Sequence, residues 1–346
     1  MQPLRKFAFV VLCALSLALA GCSTPPSASA PPTPQPYTRI ANPNTNTVQL
    51  EIVLRKFVPP RHRGPVIWLA GVMHVGEPDY YRALQHFLDT QTVVLYEGVN
   101  TESHQRHVHE DLAASTKAPT PAAPQTGAKA GYSMQSTLAR SLGLVFQLEA
   151  IDYDRTNFLN SDLSILQIQR IMEGHQPRAA PGQKVGSNAS FDTLLQIMDG
   201  SSFLGSLFKL GMQIMASSPK LQAMAKLTLI EAIGRLKGDL SDMQGLPPEW
   251  KQLVQVLIQA RNQNLMADLK TELAKTPRSG SIAVFYGAGH MDDLEKRLTS
   301  ELHYRPAGET WLPAFSVDMR KSGISPMEAQ FMRGLIKAQV DQMQRL

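Results

Sequence analysis

The chain has 346 residues, with 34 lysines and arginines against 29 aspartates and glutamates, so its formal net charge is +5. This surplus of positive charge is too small to indicate a nucleic-acid-binding protein. Only two cysteines are present, Cys13 and Cys22. Their positions decide which residues belong to the mature protein.

The N-terminus has the pattern of a signal peptide over residues 1–21, with Arg5 and Lys6 followed by an apolar run to Ala20. The ending Leu-Ala-Gly-Cys resembles the lipobox of bacterial lipoproteins, which implies cleavage before Cys22 and acylation of that cysteine. An ordinary cleaved signal is the alternative. With Cys13 removed in the signal peptide and Cys22 acylated, the exported chain would have no free thiol, which excludes a cysteine nucleophile and a thiolate metal site. Its 32 basic residues would face 29 acids, a net charge near +3.

The lipoprotein resemblance implies an envelope protein bound to a membrane through its lipid, and Ser23 after the cysteine indicates the outer membrane, facing the periplasm. Residues 22–38 are rich in Pro, Ser and Ala and predict an extended tether. Residues 39–346 predict one α/β domain. Within it, residues 113–125 predict an exposed loop and residues 190–246 a helical insertion that buries an apolar, Met-rich helix or covers a substrate or haem.

The first part of the domain predicts alternating strands and helices. Strands are expected at Val66–Leu69, Thr92–Tyr96 and Val145–Ile151, and a helix at Asp79–Leu88, where four apolar residues recur at helical spacing. Short apolar strands separated by helices indicate a mostly parallel sheet covered by helices on both faces. The predicted fold class is therefore α/β, with two strand-Gly-x-x-His-helix units and a helical insertion.

Two strands end in the same pattern. Gly71-Val-Met-His74 follows one apolar run and Gly287-Ala-Gly-His290 follows another, and the strand Thr92–Tyr96 ends at Glu97. Functional crevices lie beyond the carboxyl ends of parallel strands, so His74, Glu97 and His290 are expected to meet at one edge of the sheet. Two imidazoles and one carboxylate are a common ligand set for zinc, manganese, cobalt or iron. A histidine that caps a helix or lies in the core is the alternative for either motif alone.

The sequence resembles the TraB/GumN family, which is similar to the Tiki metalloproteases and, more widely, to haem-binding ChaN and the erythromycin esterases. The resemblance spans Val66 to about Leu302 and rests on several motifs. They are GVMH (71–74), LYEGV (95–99), LGLVFQLEAIDY (142–153), NSDLS (160–164), ARN (260–262) and GAGH (287–290). The first motif departs from the usual pattern, because the family often has Gly-Thr-x-His where this chain has Val72.

The resemblance implies a metal-dependent hydrolase in which His74, Glu97 and His290 hold Mn, Co or Zn and act on a peptide or protein substrate. A metal in such a site would activate water and polarise a carbonyl group. The alternative is a non-enzymatic lipoprotein that captures haem or iron, as the wider resemblance to ChaN allows. A haem-binding lipoprotein would show haem absorbance after haem addition and no turnover. A metal-dependent hydrolase would instead lose its activity when a chelator is added.

Arg261 and Asn262 interrupt the apolar stripe of a predicted helix, where another apolar residue would be expected. Either Arg261 reaches solvent along its own stem, or it points into the crevice and holds Glu97 or a substrate carboxylate, with Asn262 supplying a neutral hydrogen bond. Asp154 and Arg155 follow a predicted strand and are secondary candidates for the crevice.

Two further polar features are interpreted as structural. Asp162 is interpreted as a helix cap. The pair His104 and His107 is assigned to a solvated helix rather than to an accessory metal site.

Overall fold

The computed structural model describes residues 36–98, 135–164, 167, 168, 170, 171, 216–236 and 256–345. The signal peptide, most of the tether, His104 and His107, the loop at 113–125 and most of the helical insertion lie outside these residues. The described residues from Pro36 onward belong to one compact unit. Across the described residues, no helix is both long and apolar enough to cross a bilayer.

Across the described residues the chain forms nine strands and six α-helices. The strands are β1 (Thr38–Asn44), β2 (Thr47–Val58), β3 (Val66–Val72), β4 (Val75–Gly76), β5 (Val93–Tyr96), β6 (Val145–Phe146), β7 (Phe158–Asn160), β8 (Ser281–Gly287) and β9 (Arg305–Asp318). The helices are α1 (Pro78–Asp89), α2 (Gln147–Ala150), α3 (Pro219–Ile233), α4 (Arg261–Lys275), α5 (Met291–Glu301) and α6 (Pro326–Arg345).

Seven of the strands form one mixed sheet. Its order is β1-β2-β3-β8-β5-β7, and β9 pairs with β2 along the other edge of that long strand. The strands β3, β8, β5 and β7 run parallel to one another, whereas β1, β3 and β9 each pair antiparallel with β2. The predicted α/β class is confirmed, and the parallel half carries all three predicted strand-end residues.

Helices cover both faces of the sheet, as the near-continuous apolar parallel strands predict. One core cluster joins the sheet to α1, α3 and α6, and a second joins the opposite face to α4 and α5. The alternation of side chains along β8 divides it between the two, since Ala283 and Phe285 lie in the first cluster and Val284 and Tyr286 in the second. In α1 the expected apolar stripe is buried, which confirms that helix.

The predicted strand Val145–Ile151 is wrong beyond its first two residues. Only Val145 and Phe146 form a strand, β6, which pairs with β4 outside the main sheet. The chain then turns into the short helix α2. A short apolar run fits either a strand or a buried helical turn, and pairing partners that lie far away in the sequence decide between them.

A buried ion pair holds the first described residues against the antiparallel half of the sheet. Arg55 in β2 is 1% exposed and donates to Glu295 of α5 at 2.6 Å. Its guanidinium lies 4.4 Å from the centre of the Tyr37 ring, and the Tyr37 hydroxyl donates to the same Glu295 carboxylate. A second carboxylate, Glu309 of β9, accepts from Arg55 Nε at 2.9 Å. One cation, Arg55 of β2, therefore joins Tyr37 at the start of the described residues to α5 and β9.

Replacing this cation should destabilise the domain strongly. Arg55→Met keeps most of the side-chain volume but leaves Glu295 buried without its counter-charge, so the free energy of unfolding should fall by about 3–5 kcal/mol. Urea unfolding followed by tryptophan fluorescence would measure the change. Lys270→Met is the control, because Lys270 pairs with Glu301 in solvent, and such exposed pairs contribute at most about 1 kcal/mol. Equal losses in the two variants would contradict this role of Arg55.

Candidate functional site

The three strand-end residues meet around Gly287, the last residue of β8. The parallel register pairs Gly71 of β3 with Tyr286 and Val72 with Gly287, so the two histidine motifs begin within one residue of each other along the sheet. A Cβ atom placed on Gly287 would lie 3.2 Å from Glu97 Oε2, 3.5 Å from His74 Nε2 and 3.8 Å from His290 Cδ2. A Cβ atom here would press on the Glu97 carboxylate and touch both imidazoles, so glycine leaves the space between the three groups open.

Glu97 is held by two donors. Its Oε2 accepts the Gly287 N–H at 2.7 Å, and its Oε1 accepts from Arg261 Nη2 at 2.7 Å. Burial pushes the pKa of Glu97 upward, but Arg261, the two histidines and the Gly287 N–H outweigh burial and lower that pKa to about 2. The carboxylate is consequently ionised at neutral pH and is suited to binding a cation rather than to accepting a proton.

Arg261 lies at the start of α4, directly after the wide helical turn Val256–Ala260. It is 6% exposed and points into the cluster rather than to solvent. Besides Glu97, it binds Asp162 through Nε at 2.8 Å and Nη2 at 2.5 Å. Its Nη1 lies 3.5 Å from His290 Nε2. Arg261 therefore contacts both carboxylates and one imidazole.

Asp162 is a partner of the buried arginine, so its interpretation as a helix cap misses its main contact. Its side chain is fully buried and also accepts the Gly98 N–H at 3.1 Å. Burial raises the pKa of Asp162 even though the Arg261 guanidinium acts in the opposite direction. Sequence position gave one signal for this contact, because Asp162 follows the end of β7 as Glu97 follows the end of β5.

His290 is buried, and its tautomer is fixed by Asn262. The Asn262 Nδ2 group donates to the His290 carbonyl at 3.2 Å and to the Asp293 carboxylate at 2.8 Å, and neither of these can donate in return. Asn262 Oδ1 must therefore face His290 Nδ1, 2.7 Å away, which has to carry the proton. Nε2 carries the lone pair, which faces Arg261 Nη1 at 3.5 Å and lies 3.8 Å from Glu97 Oε1.

The surroundings of His290 keep it neutral. Burial lowers the pKa of the imidazole, Glu97 opposes this shift, and Arg261 and His74 add to it, so that the pKa falls to about 4. A neutral imidazole with Nδ1 bound to a carboxamide oxygen is the form that binds metals through Nε2.

His74 has a matching arrangement on the solvent side. Its Nδ1 lies 2.9 Å from Gln147 Oε1, and the backbone N–H of Gln147 donates to the His74 carbonyl at 2.9 Å. Gln147 Nε2 donates to the Tyr153 hydroxyl at 2.7 Å, which orients the amide. His74 is exposed whereas His290 is 4% exposed, so the cluster opens to solvent beside His74.

Gln147 and Tyr153 were missed by sequence reasoning, which named Asp154 and Arg155 as secondary candidates for the crevice. The structure keeps these two at the exposed surface, where Arg155 pairs with Asp89 and Asp152. The segment after α2 alternates, with Ile151 buried, Tyr153 half-buried and the aspartates exposed. This alternation is the signal that could have selected Tyr153, since extended residues point to opposite sides in turn.

Comparison with known proteins adds no family to this geometry, because no family model, curated protein or solved structure matches the chain. Across the described residues, no group of three or more His, Cys, Asp and Glu side chains is placed so that it could hold a metal ion. The site is therefore defined by its own contacts. It comprises two imidazoles with fixed Nδ1 partners, an ionised carboxylate between them and a buried arginine behind that carboxylate.

The buried imidazole predicts a specific pH dependence in metal-free protein. His290 should titrate at about pH 4 in the folded chain and near 6.5 in the unfolded chain. Between these values only the unfolded state takes up the proton, so the stabilisation from this group is complete above pH 6.5 and is lost as pH falls towards 4. NMR titration of the imidazole in buffer and in urea would measure both midpoints.

The variant His290→Gln lacks this imidazole. It therefore identifies the NMR signal of His290 and also serves as the control. Its free energy of unfolding should fall less steeply than that of the wild type between pH 6.5 and 4. A folded-state midpoint near 6.5 would show that the imidazole is not held neutral by its surroundings.

Proposed function

We propose that the protein is a metal-dependent hydrolase whose cation is held by His74, Glu97 and His290. The observation that carries the proposal is the matched pair of carboxamides. Asn262 and Gln147 each bind the Nδ1 of one histidine and leave its Nε2 on the side of Glu97. Metal-binding histidines typically have their second nitrogen fixed by such a partner.

The charges of the cluster also fit a divalent cation. Glu97 and Asp162 face a single guanidinium, so the group retains one negative charge while His290 is neutral. Arg261 is bound mainly to Asp162, through two hydrogen bonds, and shares only one with Glu97. Glu97 is therefore the carboxylate available to a cation, and Asp162 serves to hold the arginine.

In such a site, a bound divalent metal supplies an activated water at neutral pH and polarises a substrate carbonyl. The residues of this chain orient the ligands and control access. Arg261 and the Gly287 N–H hold Glu97 in one position, and Asn262 and Gln147 fix the two rings. Substrate would approach from the exposed His74 side. A peptide or protein substrate is the class that the resemblance to the TraB/GumN family implies.

We also propose that acylated Cys22 anchors the enzyme in an envelope membrane, with the outer membrane indicated by Ser23. This proposal rests on the lipobox pattern at residues 19–22. The site does not depend on it, since all of the contacts described above lie C-terminal to Pro36.

Metal titration tests the hydrolase proposal directly. Calorimetric titration of the metal-free protein with Mn, Co or Zn should show one site, and His74→Ala or His290→Ala should weaken binding at least about 100-fold, because each removes a ligand. Hydrolysis of a peptide library should disappear with chelator and return with the same metal.

His86→Ala is the matched control for His74→Ala, because both histidines are exposed and His86 lies in α1 away from the cluster. Metal binding that survives both His74→Ala and His290→Ala would overturn the assignment of the ligands. A Soret band after haem addition, without hydrolysis under any metal, would favour the alternative function of haem capture.

The orienting carboxamides give a second prediction. Gln147→Leu removes the Nδ1 partner of His74 while leaving all three proposed ligands in place, and it should weaken metal binding about 10- to 100-fold. Gln222→Leu is the control, because that glutamine makes its side-chain contact with the Ala216 carbonyl instead. Equal affinity in Gln147→Leu and wild type would show that the histidine is positioned by other contacts.

A further inference from the structure

The C-terminal helix α6 has two apolar sides. Ala329, Ile336 and Val340 face the domain and are buried. Met327, Phe331 and Leu335 recur every fourth residue on another side, so they form one stripe. They are 81%, 72% and 52% exposed. An exposed contiguous apolar stripe on an amphipathic helix indicates a surface that another phase or molecule covers.

Basic side chains line a cavity of about 430 Å³ beside this stripe, between α6 and the end of α3. Arg235 and Arg333 both bind the buried Glu231 carboxylate, and Lys337, which pairs with Asp341 at 2.6 Å, lies on the same wall. One carboxylate cannot neutralise two guanidiniums, so the cavity retains positive charge. Glu231 also fixes the two guanidiniums in place, which favours binding of a phosphate group from outside.

The first described residues lie close to the C-terminal end of α3, which also contacts the C-terminal end of α6. Thr38, at the start of β1, donates through Oγ1 to the Ile233 carbonyl at the end of α3. Gln344 of α6 donates to the Arg235 carbonyl two residues later. Cys22 precedes Pro36 by 14 positions, and so short a segment spans at most about 50 Å. An anchor at Cys22 would therefore keep this part of the domain close to the membrane surface.

We infer that the α3–α6 surface, formed by the Met327, Phe331 and Leu335 stripe and the Arg235, Arg333 and Lys337 cavity, docks on an anionic phospholipid surface. The apolar stripe would enter the boundary between headgroups and acyl chains, and the basic cavity would bind headgroup phosphates. The inference goes beyond the proposed hydrolase function and does not require it, because none of these residues belongs to the cluster around Gly287.

Vesicle binding of the mature chain carrying Cys22→Ser tests this inference without the lipid anchor. The protein should bind vesicles that mix phosphatidylcholine with phosphatidylglycerol, and bind poorly to phosphatidylcholine alone or at high salt. The double variant Phe331→Ser with Leu335→Ser should reduce the partition coefficient at least about tenfold. Lys337→Gln, which removes one exposed charge, should reduce it about fivefold.

Two matched controls make the test specific to this surface. Leu148→Ser changes a leucine that is 48% exposed in α2, and Lys270→Gln changes a lysine with a half-exposed side chain in α4. Both should bind the mixed vesicles as the Cys22→Ser chain does.

Three results would overturn the inference. The first is an absence of binding to the anionic vesicles. The second is equal losses in the stripe variants and the controls. The third is a concentration-dependent dimer that the double variant disrupts, since a second copy of the chain would then be the partner of the stripe.

Discussion

The candidate site depends on one buried cation, Arg261, held between two carboxylates. Glu97 follows β5 and Asp162 follows β7, so the guanidinium of α4 joins the ends of two neighbouring parallel strands. Without it, two ionised groups would face each other in a buried space, at a cost of several kcal/mol. The orientation of Glu97 towards Gly287 and the two histidines follows from this bridge.

The charge of Arg261 also sets the protonation states of Glu97 and His290. Arg261 lowers the pKa of Glu97 and also that of His290, because a positive charge favours an ionised carboxylate and disfavours an imidazolium. At neutral pH the cluster therefore offers an anion and a neutral nitrogen donor side by side. A site built for general acid catalysis would instead need a group with a pKa nearer the working pH.

Most of what could be predicted from sequence depended on regular strands. His74, Glu97 and His290 come together because each follows a parallel strand and the register places those ends at one level. Gln147 escaped prediction because a polar residue in an apolar run carries no sign of its partner. The two-residue strand before it pairs with β4, a contact set by tertiary structure. Asp162 was interpreted as a helix cap, because the arginine that it binds lies 99 positions away in the sequence.

The two proposed surfaces use different parts of one sheet. The cluster around Gly287 is built on the parallel strands β3, β5, β7 and β8, whereas α3 packs against β1, β2 and β9, and α6 packs against α3. Arg55 ties the antiparallel half to α5, whose first residue follows His290. The fold thus separates the proposed lipid-docking surface from the proposed metal site, since none of the hydrogen bonds described at one of them involves a residue of the other.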